Sequence, residues 1–107
     1  MADAADPTIQ AMLAAARAEF GARLPSKVAE IDALVERAAW DDARRAVHKL
    51  RGSAATYGFA ALGAAAATAE DLLIQSGGAP DEAARARLAD LLRVARAEAE
   101  RAAPEKR

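Results

Sequence analysis

His48 is the only histidine in a chain of 107 residues that contains no cysteine. An imidazole of ordinary pKa, about 6.5, keeps a free ring-nitrogen lone pair at neutral pH and can attack an electrophilic phosphorus. Arg44, Arg45, Lys49 and Arg51 surround it in sequence, and no acid follows Asp42 until Glu70, so this stretch is a basic island in a chain of net charge −1. Phosphoryl transfer asks little of a protein beyond positioning and neutralising charge, and guanidinium groups suit phosphoryl oxygens. On a helix turning about 100° per residue, with the centre of the apolar stripe at zero, Arg51 falls near about 80°, Arg44 near about 100°, Ala55 near about 120°, His48 near about 140° and Gly52 near about 180°. His48 therefore points outward, beside two arginines and two positions with little or no side chain. A glycine inside a helix costs about 1 kcal/mol relative to alanine, so Gly52 needs a reason. One turn after His48, it clears room for an incoming partner or for a group attached to the ring, and Ala55 extends the opening. By itself, a surface histidine among arginines is ordinary solvated surface; the longer string has to decide.

The elements that must hold this helix are visible in the apolar spacing. Asp6 before Pro7 reads as an N-cap with proline at the first helical position. Ile9, Leu13, Ala16 and Phe20 then mark a face running to about Arg23, where Pro25 is expected to interrupt it. Leu24, Val28, Ile31, Val35 and Ala38 make a second stripe. Trp40, Asp41 and Asp42 break the pattern, and either aspartate could cap the histidine helix, whose stripe is Ala43, Val47, Leu50, Ala54 and Tyr57 with Gly58 as its C-terminal cap. From Phe59 the next helix carries Leu62, Ala66, Ala69 and Leu73 until the turn at Ser76, Gly77 and Gly78. Pro80, Asp81 and Glu82 open the last, with Ala84, Leu88, Leu91, Ala95, Ala99 and Ala102 inward. Short connections imply antiparallel neighbours. The expectation is an all-α, up-and-down four-helix bundle with a short or continuous additional helix at the start, one domain over 1–107, frayed at about 1–5 and 103–107.

Composition agrees with that class. Alanine is the commonest residue, 53% of the chain is apolar and 29% is charged, the balance of a helical domain with a modest core. Lack of cysteine excludes a disulfide scaffold and thiolate metal sites and fits a reducing, cytoplasmic setting. No apolar run approaches the roughly 20 residues that span a bilayer, and the acidic first six residues are unlike a signal peptide. Net charge near zero gives no general attraction to nucleic acid or membrane, and no aromatic alternates with the basic island for base stacking. Adjacent carboxylates, Asp41 with Asp42, Glu70 with Asp71 and Asp81 with Glu82, read as capping or solvated groups. No nucleophile and base pair supports a hydrolase.

Read from Val47, the string VHKLRGSAATYGFAAL resembles the signature of the histidine-containing phosphotransfer (HPt) family, with His48, Leu50, Arg51, Gly52, Gly58 and Leu62 in register. Phe20 with Leu24 and Pro25, Trp40 with Asp41, and Glu70 extend the likeness, which is strong over residues 20–71. It departs at Val47, where a small residue is common, at Arg51 for Lys, and at Ala69 for Leu. The resemblance implies a four-helix bundle with an exposed phosphoacceptor, His48, that takes a phosphoryl group from one receiver-domain aspartate and gives it to another without hydrolysing ATP. The magnesium ion and acidic pocket would belong to the receiver, leaving this chain with no metal or cofactor of its own. Arg51 stands where a lysine usually supports the phosphoryl group, and Gly52 holds a glycine position. Glu70 stands where a residue can bond the other imidazole nitrogen and turn Nε2 outward; read alone it is an ordinary surface carboxylate. Arg44, Lys49, Ala55 and Gly58 would form the partner-facing rim.

The expected partners are receiver domains and a sensor or hybrid kinase, with no nucleic acid or membrane, and the chain is expected to be a monomer. The run Thr56, Tyr57, Gly58, Phe59 also looks like the phosphotransfer domain of chemotaxis kinases, so an origin within a larger kinase stays open. A different reading is a helical adaptor that docks an acidic partner through Arg44, Arg45, Lys49 and Arg51 without chemistry.

Overall fold

The computed structural model describes residues 7–102. Among them are four helices and no strand: α1 Pro7–Glu36, α2 Trp40–Tyr57, α3 Ala60–Ser76 and α4 Glu82–Ala102. Each packs antiparallel on its neighbour in the chain, and α4 closes the ring on α1, while the diagonal pairs do not pack. This is the expected four-helix bundle, and its additional helix is the continuous N-terminal part of α1.

The core is a ladder of four buried residues from each helix: Phe20, Leu24, Val28 and Ile31; Ala43, Val47, Leu50 and Ala54; Leu62, Ala66, Ala69 and Leu73; Leu88, Leu92, Ala95 and Ala99. Steps of three and four keep these positions on one face. Alanine at so many rungs leaves each layer small, so the helices approach closely. Two departures from the family pattern, Val47 and Ala69, are both core positions. The last stripe differs from expectation at one position, where Leu92 is buried and Leu91 half-buried, while Leu88, Ala95 and Ala99 are core as expected.

Other expectations are corrected at the first two helices. Pro25 does not interrupt α1. An interior proline costs about 3 kcal/mol, and burial of Phe20, Leu24, Val28 and Ile31 on both sides of it offsets that cost. Ile9 and Leu13 are exposed rather than core, because α1, 30 residues long against 18 for α2, overshoots the bundle. Asp41 and Asp42 cap nothing: Ala39 is the N-cap of α2, without a side-chain bond, and the two acids lie in its first turn. Asp81 does cap α4, accepting a bond from the Ala84 N–H at 2.8 Å. The proposed cap Asp6 lies outside the described residues.

Both ends of the turn into α2 and out of it are set by backbone geometry. α1 closes with bonds from Ala39 N–H to the Leu34 carbonyl (2.9 Å) and from Ala38 N–H to that of Val35 (3.0 Å), which forces exposed Ala38 to φ 58° in place of the core position expected for it. This left-handed corner suits glycine and strains alanine by about 1 kcal/mol. Ala38→Gly is therefore expected to stabilise the fold by about 0.5–1 kcal/mol in urea unfolding; unchanged or lower stability would contradict the corner. At the other end, Gly58 takes the same conformation (φ 79°) where α2 stops, and the Arg17 guanidinium donates to the Tyr57 carbonyl. Arg17 also lies 4.2 Å over the Phe59 ring, and Phe20 stacks on Tyr57 at 4.9 Å. These contacts fix the C-terminal end of the histidine helix against α1.

Candidate functional site

Val47 and Leu50 anchor α2 in the core, and that anchoring turns the intervening His48 outward with its side chain 70% exposed. Across the groove, α3 places Glu70 between the buried Ala69 and half-buried Leu72, with a side chain only 7% exposed. The two meet: His48 Nδ1 lies 2.6 Å from Glu70 Oε2. Arg51 reaches the same carboxylate from one turn below, its Nη1 donating to Oε1 at 3.0 Å. Glu70 is thus the one buried charged residue among those described, and each of its oxygens has a partner.

Burial works to raise the pKa of Glu70, but the hydrogen bonds from Arg51 and His48, with the charge behind them, outweigh it and hold the carboxyl below its ordinary 4.5. An ionised carboxylate only accepts, so His48 Nδ1 must be the donor. In the neutral ring that leaves the lone pair on Nε2, the nitrogen away from Glu70. A carboxyl held low in the folded state adds stability above its unfolded pKa, and that contribution is lost as pH falls through the folded value. The stability gap between the wild type and Glu70→Gln, read by urea unfolding, is accordingly expected to be widest near neutral pH and to close as pH drops below 4.5. A constant gap across that range would refute the ionised pairing.

The other expected site residues fall into two groups. Arg51, Gly52 and Glu70 gather at His48, whereas Arg44 is tied to Asp41 (3.0 Å) and Arg45 to Asp41 (2.8 Å) and Asp42 (3.5 Å). With Arg51 bound to Glu70, Lys49 is the one member of the basic island without an ion-pair partner among the described residues. Arg44, Arg45 and Arg51 thus each lie against a carboxylate, so the island presents less unmatched positive charge than its sequence suggests. Ala55 is exposed on the histidine's face, and Gly58 ends the helix.

His48, Lys49, Gly52, Ser53, Thr56 and Tyr57 line an open groove. A Cβ at Gly52 would meet nothing within 4 Å, so packing inside this chain does not require glycine there. The Thr56 hydroxyl donates back to the Gly52 carbonyl at 3.0 Å, a local bond. Arg17 was not visible as a contributor from sequence, because its target carbonyl lies 40 residues away. Among the described residues no group of acids and histidine is arranged to hold a metal ion, and no helix is long and apolar enough to cross a membrane.

One comparison is informative: a family model described as the Hpt domain matches residues 15–100. No curated protein and no solved structure matches the chain.

Proposed function

This chain belongs to the Hpt domain family, whose members carry phosphoryl groups through histidine in phosphorelays, and on that premise we propose that His48 is the phosphoacceptor and that receiver-domain aspartates are its exchange partners. The observation that carries the reading is the 2.6 Å bond between Nδ1 and Glu70. That bond occupies Nδ1, which supports Nε2, the other nitrogen of a largely exposed ring, as the nucleophile.

In the forward step the Nε2 lone pair attacks the phosphorus of an aspartyl phosphate. The P–N bond forms as the P–O bond to the aspartate breaks, and the carboxylate leaves with that electron pair. The ring gains positive charge as it reacts, so the Nδ1–H bond to anionic Glu70 strengthens in the transition state, which is where an interaction accelerates a reaction. Arg51 keeps Glu70 in place and lies near enough to the ring to help balance phosphoryl charge. Gly52 gives the partner clearance at a position that the fold leaves open. The return step reverses these events, and magnesium acts from the receiver's side. On this reading the protein is a carrier served by a sensor or hybrid kinase, with Lys49, Arg44, Ala55 and Gly58 on the rim, and the same proposal takes it to be a cytoplasmic monomer without kinase activity of its own.

The test is incubation with phosphorylated receiver proteins. Label that is acid-labile, base-stable and mapped to His48 by mass spectrometry supports the reading, whereas label on any other residue, or none from any receiver, overturns it.

A further inference from the structure

The surface on the two sides of His48 differs in kind. Toward the C-terminal end of α2 the groove is edged by Lys49, Ser53 and Thr56. Toward its N-terminal end, α2 and α3 part around a cavity walled by Trp40, Asp41, Arg44, Leu73 and Ile74, with Gly77 and Gly78 at its rim. Ile74 is 53% exposed there, a large apolar side chain in water. Trp40 is half-buried, and the Arg85 guanidinium lies 5.1 Å over its ring. Gly77 turns the chain in the left-handed region (φ 63°), and a Cβ on either glycine would meet nothing within 4 Å. The cavity edge is bare.

Register fixes where this cavity lies. Arg44 is one turn before His48 on α2, and Ile74 is one turn after Glu70 on α3. Because the two helices are antiparallel and His48 bonds Glu70, Arg44 and Ile74 make the next rung, about 6 Å along the helices. A transient interface of about 500 Å² on each partner is a disc of roughly 13 Å radius, so a folded partner centred on Nε2 covers this rung. The two charged residues on the cavity wall, Arg44 and Asp41, are paired with each other, so the cavity carries no unmatched charge and what it offers that partner is apolar contact.

We propose that the cavity seats an apolar side chain of the receiver domain that exchanges phosphoryl groups with His48, making Ile74 and Trp40 determinants of which receiver is served. The proposal rests on His48 being the phosphoacceptor. Ile74 touches no reacting atom; its role is to bind.

The experiment follows the rate of transfer from a phosphorylated receiver against receiver concentration for the wild type, Ile74→Asp and Val94→Asp. Val94 is similarly exposed on α4, which does not pack on α2. For Ile74→Asp the half-saturating concentration is expected to rise about tenfold or more with the saturated rate within twofold, and Val94→Asp is expected to match the wild type. Phosphoramidate, a small donor that needs no docking, should label all three equally. An unchanged half-saturating concentration, or a saturated rate that falls alone, overturns the docking role. If the wild type sediments as a dimer that Ile74→Asp dissolves, the cavity holds a second copy and the proposal is likewise overturned. If neither donor labels wild-type His48, it is the phosphoacceptor reading that fails instead.

Discussion

His48→Gln is expected to lose phosphoryl transfer entirely, below one part in a thousand of the wild-type rate, while keeping its helical circular dichroism. Glutamine has the size to fill the position but no nitrogen lone pair that can attack phosphorus, since its amide nitrogen is a donor. The side chain is 70% exposed, so the fold loses only the bond to Glu70, and substitutions of exposed residues usually change stability little. The control matters because an adaptor working by docking alone would survive the change: receiver binding and downstream output that persist in His48→Gln would favour that reading. Residual acid-labile label in the mutant would mean that another group accepts the phosphoryl.

Glu70→Ala is expected to slow transfer about 10–100-fold with little change in the concentration of receiver needed. A hydrogen bond to a charged group is worth about 1.5–3 kcal/mol, each 1.36 kcal/mol is tenfold in rate, and this bond strengthens as the ring becomes cationic. Glu70 touches the ring rather than the phosphorus, which makes it a positioning residue, and a purely structural part would not alter the imidazole tautomer. Nitrogen NMR of the wild type should find the proton on Nδ1, and Glu70→Ala should show both tautomers. A mutant with the wild-type tautomer and a normal rate would remove Glu70 from the mechanism. Glu70→Gln should fall between the two, because its carbonyl can still accept from Nδ1 while its charge is gone.

The histidine helix was readable because periodicity there is unopposed: Val47, Leu50 and Ala54 take the core, and the outward direction of His48 follows at once. Glu70 was harder. From sequence it could be a surface carboxylate, and only the register between α2 and α3 places it 2.6 Å from the ring, a long-range fact that no local pattern carries. Pro25 and Leu13 misled for a related reason. Propensity and periodicity describe a helix by itself, whereas what Pro25 costs is offset by tertiary burial, and whether Leu13 has a neighbour depends on how far α1 outruns the rest. The basic island misled in charge: Asp41 and Asp42 looked like caps, and the fold uses them to pair Arg44 and Arg45. Ala38 gave no signal at all, since the left-handed corner it occupies normally announces itself with glycine.

The attachment of Glu70 to Nδ1 also bears on time. It puts the one carboxylate that touches the ring on the side away from Nε2, and its two oxygens are already taken up by His48 and Arg51. With His48 as the proposed phosphoacceptor, a phosphoryl group on Nε2 would lie across the ring from that carboxylate, which is not placed there to activate water against it. On that reading Glu70 does nothing to hasten decay, and the carrier would keep no clock of its own there. How long a message lasts is then decided by the abundance and arrival of the proteins that collect it.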